Sequence, residues 1–344
     1  MRPSFRPRLV NSPFDDPGLF VPLTFEKRAL LFDVGDIRPL EAKEILKISH
    51  VFISHTHIDH FVGFDRLLRL FLGRDKTLHL FGPAGIHRNI EGKLAGYTWN
   101  LVENYDNHFV LKVTEVTPSR LATRTYHCRR RFRSIPPQAP APYTSTILAD
   151  ASLSVAAEIL DHDIPCLAFS LTEKFHVNIM KDRLSAMGIP VGPWLGRFKK
   201  ALYEERDPNT EIDVPTAAGP EARRCRLGEL AGKIAMITPG QKIAYVTDTA
   251  WTPDNREKIL RLAADADHLF IEAAFLSADG EMAARKRHLT ARQAGEIAGE
   301  AGARQFTLFH FSPRYADREK ELIDEATAAY HLVLSARRPG PDIP

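Results

Sequence analysis

Cysteine is scarce in this chain of 344 residues, and its distribution excludes two classes of protein. The three cysteines, Cys128, Cys166 and Cys225, are an odd number, lie far apart and form no CxxC pair. Small secreted domains held by disulfides and zinc sites built from thiolates both need paired or closely spaced cysteines. The pattern therefore predicts reduced thiols in a cytoplasmic protein.

Long apolar runs and a strong net charge are missing as well. No run reaches the roughly 18 apolar residues that a membrane-spanning helix needs. The basic N-terminal stretch 1–7 has no hydrophobic segment behind it, so it does not match a secretory signal. The formal net charge of +3 is too small to indicate a partner by itself. With 44% hydrophobic and 26% charged residues, the composition is typical of a globular protein with no membrane partner.

Short apolar runs alternate with amphipathic stretches along the chain, which predicts an α/β fold. The predicted strands are Ala29–Phe32, Val51–Ser54, Leu78–Phe81, Phe109–Val113, Cys166–Leu171, Ile243–Thr247, His268–Glu272 and Phe306–Phe309. The predicted helices are Asp65–Leu72, Met180–Met187, Asp254–Ala264, Thr290–Gly302 and Ala316–Ala328. Thr290 is the predicted N-cap of the fourth helix, because a threonine hydroxyl can accept a hydrogen bond from the first turn.

Two segments are predicted to be irregular. Ser134–Tyr143 contains four prolines, which cannot occupy the interior of a regular element. Asp207–Glu221 is rich in proline, threonine and glycine, which predicts a loop. Neither segment separates two cores, so we expect residues 1–344 to form a single domain with inserted arms.

Four potential metal ligands lie within the six residues 55–60, which read HTHIDH. His55, His57, Asp59 and His60 offer imidazole and carboxylate donors. This set suits zinc, manganese or iron(II) and does not indicate a structural zinc bound by thiolates. The run follows a predicted strand and precedes a predicted helix, a place where α/β proteins concentrate their chemistry. A histidine-rich surface loop is the alternative, and the density of donors favours a metal site.

Three further candidate ligands, His162, Asp248 and His310, each lie close behind an apolar run. Taken one at a time, each could be a polar residue that caps a strand or starts a turn. Taken together with the donors at 55–60, they are numerous enough for a site with two metal ions.

Several motifs resemble those of one enzyme superfamily. HTHIDH at 55–60 is similar to the motif common to the metallo-β-lactamase superfamily, and it would not by itself separate a nuclease from a thioesterase. DHDIP around His162 and TDT around Asp248 extend the resemblance along the chain.

Other motifs narrow the resemblance to the ribonuclease Z family, endonucleases that trim the three-prime end of precursor transfer RNA. IEAAF at 271–275, HLTARQA at 288–294 and HFSPRY at 310–315 are similar to motifs of that family. MGIPVGPWLG at 187–196 resembles the start of the family's tRNA-binding arm. The similarity extends from about Leu30 to Tyr315.

The resemblance implies an αββα four-layer sandwich, the metallo-β-lactamase fold, with an inserted arm at 175–226. It implies two divalent cations, zinc with manganese or iron as alternatives, and a hydroxide shared between them that attacks phosphorus. One cation would be held by His55, His57 and His162, the second by Asp59, His60 and His310, and Asp248 would bridge the two.

The resemblance also implies three catalytic residues. Asp59 would accept the proton of the attacking water, because a carboxylate beside two cations stays ionised. His288, oriented by Glu272, would stabilise charge on the phosphoryl group or donate a proton to the leaving oxygen. A purely structural contact is the alternative for that pair.

Some positions depart from the family's motifs without touching the metal ligands. Ile271 stands in place of a histidine, Ala274 of a threonine, Leu289 of a serine and Thr247 of a glycine, and the stretch 11–17 lacks the usual turn rich in glycine and serine. Two alternatives therefore stay open. The same fold could hydrolyse a small thioester, lactone or cyclic phosphodiester, or the protein could bind RNA without cleaving it.

Two basic segments are candidate RNA-binding surfaces. Arg120–Arg133 contains six arginines interleaved with aromatic side chains, which suits a phosphate backbone and unstacked bases. A solvated hairpin of charged residues would give the same pattern. Arg197, Lys199 and Lys200 lie in the predicted arm 175–226, which in the family grips tRNA, often across a homodimer.

Overall fold

The computed structural model of the chain describes residues 4–135, 139–216 and 219–337, with backbone alone at 219–222. The segment Ser134–Tyr143, predicted to be irregular, lies partly outside these residues. Within the described part, no helix is both long and apolar enough to cross a membrane. All three cysteines are free, as predicted.

The strands are numbered in chain order from β1 to β19. They are Arg8–Leu9, Leu19–Pro22, Ala29–Phe32, Ile48–Phe52, Lys76–Pro83, Phe109–Val116, Arg120–His127, Ser134–Ile135, Ala141–Pro142, Thr146–Ala149, Leu153–Asp161, Pro165–Glu173, His176–Ile179, Glu211–Thr216, Gly219–Arg226, Ala235–Thr238, Lys242–Val246, His268–Glu272 and Phe306–Phe309.

The α-helices are numbered in the same way from α1 to α11. They are Ala42–Ile45, Ile58–Phe61, Phe64–Phe71, Ile86–Ala95, Lys181–Ala186, Trp194–Tyr203, Leu227–Ile234, Pro253–Ala263, Gly280–Lys286, Ala291–Glu300 and Glu319–Arg337. Short 3-10 turns lie at Val102–Asn104, Cys128–Arg130, Ser277–Asp279 and Pro313–Tyr315.

The predicted strands and helices are present, with ends that differ by a few residues. Strands β3, β18 and β19 have the predicted bounds, whereas the predicted helix Ala316–Ala328 begins and ends later, as α11. Thr290 caps α10 as predicted. Its hydroxyl accepts a hydrogen bond from the Gln293 amide, and the Gln293 side chain accepts one from the Thr290 amide.

The prediction of a loop at Asp207–Glu221 is wrong for most of its length. Strands β14 and β15 form an antiparallel hairpin there, with Glu211 opposite Arg226 and Asp213 opposite Arg224. The Arg224 guanidinium lies 3.2 Å from a Glu211 oxygen and 3.8 Å from an Asp213 oxygen. Opposite charges on adjacent strands support pairing. The prediction of a loop relied on the prolines and threonines of the segment and did not consider these charge pairs.

The chain forms two compact units. The smaller unit contains the described residues of Met1–Ser4, Leu148–Ser154 and Thr172–Gln241, in which β13 pairs with β16 and β14 with β15. Its core contains Leu184, Ile189, Trp194, Phe198, Ala201, Val214, Leu227, Leu230 and Ile234. The predicted arm 175–226 falls inside this unit, and both its role as an arm and the single domain stay predictions.

The larger unit contains the described residues of Phe5–Ile147, Val155–Leu171 and Lys242–Pro344. Its first sheet has the order β1-β2-β3-β4-β5-β6-β7-β8, with β9 paired to β7. Strands β3 to β6 are parallel. Their carboxyl ends therefore share one edge of the sheet, which we call the upper edge.

The second sheet has the order β10-β11-β12-β17-β18-β19, and β17, β18 and β19 are parallel. The two sheets face each other through aromatic rings in the larger unit. The Phe169 ring centre lies 5.6 Å from those of Phe32 and Phe52, and the Tyr245 ring centre lies 5.9 Å from that of Phe32. These rings fill the space between the sheets.

Helices cover the outer faces of both sheets. On α3 the buried residues Phe64, Leu67, Leu68 and Phe71 follow the helical repeat and pack with the core of the first sheet. Buried residues of α8, α10 and α11 pack in the same way with the core of the second sheet. The predicted αββα sandwich is confirmed.

The contact between α10 and α11 depends on a glycine. A Cβ atom at Gly295 of α10 would lie 2.0 Å from the Ala326 carbonyl oxygen of α11, whereas one at Gly92 of α4 would meet nothing within 4 Å. We expect Gly295→Ala to destabilise the fold by about 1–3 kcal/mol, because the backbones must separate. The matched control Gly92→Ala should stabilise it by about 0.5–1 kcal/mol. Urea unfolding midpoints test both, and equal shifts would contradict the packing argument.

Candidate metal centre

The seven predicted ligands lie shortly after strands of the larger unit, five of them in loops and two, Asp59 and His60, on the short helix α2. Residues 55–60 come after β4, His162 follows β11, Asp248 comes after β17 and His310 follows β19. His310 has a φ of 62°. Non-glycine residues in this left-handed region are uncommon and concentrate at functional sites. The loop is thus held in a shape that points the imidazole at its neighbours.

A first group of donors contains His55, His57, His162 and Asp248, with one ligand atom from each lying within 4.8 Å of the others. One Asp248 oxygen lies 3.6 Å from Nε2 of His55 and 3.5 Å from Nε2 of His162. The His55 and His57 ring centres are 4.4 Å apart. The structure thus brings together the donors predicted for one cation.

A second group contains Asp59, His60 and His310. Nε2 of His310 lies 3.3 Å from an Asp59 oxygen, and Nε2 of His60 lies 3.5 Å from the same oxygen. The other Asp248 oxygen lies 3.4 Å from His60 Nε2 and 3.3 Å from His310 Nδ1. Asp248 therefore turns one oxygen toward each group, the arrangement expected of a bridging ligand.

Three buried imidazole nitrogens of these groups, His55 Nε2, His60 Nε2 and His310 Nδ1, have no hydrogen-bond partner among the residues that the structure describes. Buried polar atoms are almost always satisfied. Nitrogens that converge on carboxylates without hydrogen bonds are typical of a site built for cations. The donor set therefore fits the divalent metal ions that the fold implies.

The electrostatics of the groups favour anionic carboxylates. Burial raises the pKa of Asp59, but the hydrogen bond from His310 and the charge of His60 outweigh it and lower the pKa to about 2. Burial likewise opposes ionisation of Asp248, and His310 and His60 hold its pKa well below the usual value. Burial and the neighbouring His60 lower the pKa of His55 to about 2, so this imidazole is neutral and can donate its lone pair.

Asp33 contacts one of the predicted ligands, and the sequence reasoning missed it. It is fully buried, and one of its oxygens accepts hydrogen bonds from Nδ1 of His60 at 2.9 Å and from the Tyr245 hydroxyl at 2.9 Å. Ser54 donates its amide to one oxygen at 2.7 Å and its hydroxyl to the other at 2.8 Å. Burial lowers the pKa of His60, but Asp248 and Asp33 raise it well above the usual value. Its only sequence signal is an acidic residue directly after the buried strand β3.

His162 is oriented by the backbone. Its Nδ1 lies 2.8 Å from the Arg287 carbonyl oxygen, which leaves Nε2 directed at Asp248. The carboxylates that flank His162 in the sequence, Asp161 and Asp163, do not have this role. Those carboxylates lie instead beside the Arg287 guanidinium, Asp163 at 2.6 Å and Asp161 at 3.8 Å.

The predicted pair of His288 and Glu272 is present. Nδ1 of His288 lies 3.0 Å from a Glu272 oxygen, and the other Glu272 oxygen accepts the Thr249 amide at 2.7 Å. Burial lowers the pKa of His288, but the Glu272 carboxylate outweighs it and raises the pKa to about 9. The His288 ring centre lies 5.3 Å from that of His310. This imidazole therefore borders the metal-ligand groups as a cation held by a buried carboxylate.

The departures from the family motifs are core positions for the most part. Ile271 and Leu289 are fully buried and Ala274 is 3% exposed, all three within the core of the second sheet. Apolar residues suit such places, so these changes do not alter the surface around the ligands. Thr247 differs, because its hydroxyl donates to an Asp248 oxygen at 2.8 Å.

The predicted basic cluster Arg120–Arg133 is divided between two edges of the first sheet. Strand β7 is antiparallel to β6, with Leu121 opposite Val116 and His127 opposite Val110. Arg120 therefore lies at the upper edge, where β4 leads into the ligand loop. The turn after His127 lies at the opposite edge, about 25 Å away along an eight-residue strand.

The arginines of that turn line a pocket of about 460 Å³ together with Glu103 and Ser134; they are Arg129, Arg130, Arg131 and Arg133. Glu103 lies 3.0 Å from the Arg131 guanidinium. The others are exposed and form no ion pair with another described residue. Phe132 anchors the turn, with its ring centre 4.7 Å from that of Trp99.

Comparisons with known proteins identify the family of the chain. Residues 209–311 match the family model described as the beta-lactamase superfamily domain. Ribonuclease Z of Deinococcus radiodurans is 28% identical over 94% of this chain and 95% of its own length. Ribonuclease Z of Thermobifida fusca is 32% identical over 90% of this chain and 83% of its own length.

The fold also matches a solved structure. The metallo-β-lactamase fold protein YhfI from Bacillus subtilis superimposes with a TM-score of 0.52 and 15% identity, covering 95% of this chain and 94% of that one. Identity this low supports the fold alone, whereas the ribonuclease Z relatives match nearly the whole sequence. The chain belongs to the ribonuclease Z family of the metallo-β-lactamase superfamily.

Proposed function

We propose that the protein is an endoribonuclease that cleaves precursor tRNA at its three-prime end with the help of two divalent cations. The observation that carries the proposal is Asp248, whose two oxygens face two separate groups of donors in a chain of the ribonuclease Z family. Relatives named ribonuclease Z support RNA as the substrate.

Each of the two groups of donor side chains would hold one cation. The first cation would be held by His55, His57 and His162, the second by Asp59, His60 and His310, and both by Asp248. We infer zinc, because imidazole and carboxylate donors suit it, although the same set accepts manganese or iron. Bound there, the cations supply positive charge beside the scissile phosphate and acidify a water molecule.

Asp59 would accept a proton from the attacking water. Its side chain is 38% exposed, whereas that of Asp248 is 3% exposed, so Asp59 alone of the two can meet incoming substrate. Its ionised form and its contact with His310 keep one oxygen fixed and leave the other available.

His288 would act on the leaving oxygen. Its Nδ1 is held by Glu272, which is itself fully buried and cannot reach a substrate. Nε2 is then the atom that can donate a proton or stabilise charge on the phosphoryl group. Glu272 acts through His288 by fixing the direction of the ring.

The two parts of the basic cluster suit two parts of a large RNA. Arg120 lies at the edge that carries the ligand loop, and Arg129, Arg130 and Arg133 lie at the far edge. A folded tRNA can reach both, whereas a small ester can reach only the first. The arm 175–226 as an RNA-binding element, a homodimer and a cytoplasmic location are further parts of the proposal.

Cleavage of a three-prime-extended precursor tRNA by the purified protein, with zinc or manganese, tests the proposal. We expect a product cut after the discriminator base and loss of cleavage with a chelator. Hydrolysis of a small thioester, lactone or cyclic phosphodiester without cleavage of the precursor would overturn the RNA substrate while keeping the metal centre. RNA binding without cleavage of any phosphodiester would overturn the enzyme.

Charge reversal at the far edge tests the RNA surface. The triple change Arg129→Glu, Arg130→Glu and Arg133→Glu should weaken binding of precursor tRNA and reduce the slope of log affinity against log salt by about one per lost phosphate contact. Turnover of a small phosphodiester should not change, because these side chains lie far from the ligands.

The matched control for that experiment reverses three exposed charges elsewhere, through Arg304→Glu, Arg318→Glu and Lys320→Glu. It changes the net charge by the same amount. If control and test variants weaken RNA binding equally, the effect is one of total charge, and the far-edge turn is not a binding surface.

A further inference from the structure

Exposed apolar side chains are concentrated around the metal-ligand loops. Twelve large hydrophobic residues are exposed among the described residues, and four of them lie within three positions of a predicted ligand. These are Ile58 at 78%, Val62 at 40%, Ile164 at 38% and Trp251 at 37% exposure. Apolar side chains left in water around a polar site indicate a surface that a ligand covers.

The four residues form two pairs on different loops. Ile58 is the first residue of α2 and Val62 directly follows its last residue. The two lie one helical turn apart, because the Val62 amide donates to the Ile58 carbonyl at 2.8 Å. Ile164 and Trp251 lie on the loops that carry His162 and Asp248. The second pair is the more informative, because it contains an aromatic ring.

A buried asparagine fixes the loop of Trp251 to the loop of Ile164. The Asn255 side-chain amide donates to the carbonyl oxygens of Asp161 and Ala250, each at 2.9 Å, and its oxygen accepts the Asp161 amide at 2.9 Å. The Ala250 amide also donates to the Asp161 carbonyl at 3.0 Å. On the other side of Trp251, the Thr252 amide donates to the Ala250 carbonyl at 2.9 Å, and the Thr252 hydroxyl accepts the Asn255 amide at 3.2 Å. The backbone on both sides of Trp251 is therefore held in place, and an indole on such a rigid support is ready for stacking.

The charges on the loop of Ile164 favour a base over a phosphate of an RNA substrate. Asp161 and Asp163 lie on the same loop as Ile164, and their partly exposed carboxylates share the single guanidinium of Arg287. Two carboxylates against one guanidinium disfavour a phosphate there. The flat, uncharged face of a base meets no such repulsion, and stacking on an aromatic side chain accepts any base.

We propose that Trp251, with Ile164 beside it, forms a stacking platform for an unpaired nucleobase next to the scissile phosphate. The inference rests on the proposed function, because it takes RNA as the substrate. The platform would select single-stranded over double-stranded RNA. An unpaired base at a three-prime end can stack on the indole, whereas a base within a duplex is not free to do so.

A cycle of enzyme and substrate changes tests the platform. The enzymes are wild type, Trp251→Ala, Trp251→Phe and the control Tyr97→Ala, which removes a similarly exposed ring of 44% exposure that lies at the end of α4. The substrates are a three-prime-extended precursor tRNA and versions with an abasic nucleotide at each position that flanks the cut. Bound metal is measured for every variant.

We expect Trp251→Ala to raise KM for the intact precursor about tenfold, with little change in kcat or in bound metal. Trp251→Phe should recover most of the loss, and Tyr97→Ala should match wild type. At one abasic position the wild-type enzyme should lose the same factor, and there the Trp251→Ala change should have no further effect.

Each other outcome overturns a defined claim. Equal losses from Trp251→Ala on intact and abasic substrates would mean that the indole supports the loop and stacks on nothing. Unchanged KM for the intact precursor would remove the platform and leave the proposed nuclease standing. Failure of the wild-type enzyme to cut the precursor would overturn the proposed function, and the RNA platform with it.

Discussion

Replacement of Asp248 by alanine is expected to abolish phosphodiester hydrolysis. The two Asp248 oxygens lie 3.3–3.6 Å from nitrogens of His55, His60, His162 and His310, and no other carboxylate of the described chain faces both groups. The change removes one ligand from each proposed cation. We expect kcat/KM for precursor tRNA to fall below about a thousandth of the wild-type value, a loss of more than ~4 kcal/mol of transition-state stabilisation.

Two measurements separate loss of the site from loss of the fold. Bound metal per chain should fall together with activity, whereas the circular dichroism spectrum should stay that of the wild type. Asp248→Asn keeps the side-chain volume, so it repeats the test without a cavity. The matched control is Asp254→Ala, which removes an exposed carboxylate six positions away on α8 that pairs with Lys258 at 2.7 Å.

A folded Asp248→Ala protein that keeps two cations and more than a tenth of wild-type activity would contradict the bridging role. The centre would then have to be assembled from the two histidine-rich groups alone. Full activity in Asp254→Ala alongside inactive Asp248→Ala excludes a general effect of removing negative charge from this part of the chain.

The convergence of the donor side chains could be predicted for those that are close in the sequence and for those that follow strongly apolar strands. Residues 55–60 could be predicted to form a site because four donor side chains lie within six positions. His162, Asp248 and His310 could be found because each comes just behind an apolar run, and the ends of neighbouring strands meet at one edge of a sheet. Their convergence in the structure follows from this shared position.

Contacts between distant segments could not be predicted in the same way. The hydrogen bond that orients His162 is accepted by the Arg287 carbonyl oxygen. Every residue has a carbonyl, so nothing in the sequence marks this one. The basic run Arg120–Arg133 reads as one cluster, but its position on β7 divides it between two edges. Strand direction, which decides such a division, has no local signal in the sequence.

Asp33 shows the same limit at the centre itself. Its carboxylate joins Ser54, His60 and Tyr245, residues that lie 21, 27 and 212 positions away along the chain. An acidic residue after a strand is common in sequences. Only the fold reveals that Ser54, His60 and Tyr245 all donate hydrogen bonds to Asp33. Asp33 accepts hydrogen bonds from a predicted metal ligand, His60, and from Tyr245 on the second sheet, so it connects the candidate site to the core.

Asparagine at position 33 is therefore expected to damage the metal centre more than the fold. Asp33 has a φ of 55°, a left-handed conformation that asparagine tolerates as well as aspartate does. The substitution therefore changes the hydrogen bonding without straining the backbone. It replaces one acceptor oxygen by an NH2 group, which can only donate.

The orientation of the new amide decides where the loss appears. If its oxygen keeps the Ser54 amide, its NH2 group faces Nδ1 of His60, and His60 must accept there and carry its proton on Nε2. Nε2 is the nitrogen directed at Asp59 and Asp248, so a proton on it blocks metal binding. We expect cation affinity to fall about 10–100-fold, as for other changes to residues that orient ligands.

Alanine at the same position provides the contrast. Asp33→Ala leaves His60, Tyr245 and Ser54 without their acceptor and places alanine at a positive φ, so we expect the free energy of unfolding to fall by about 3–5 kcal/mol. Asp33→Asn should lose only about 1–3 kcal/mol. Urea unfolding of the metal-free proteins and a chelator competition titration measure the two effects separately. If Asp33 sets the tautomer of His60, its neutralisation must change the protonation of Nε2 on the other side of the ring. Unchanged metal affinity in Asp33→Asn would therefore mean that Asp33 only supports the core.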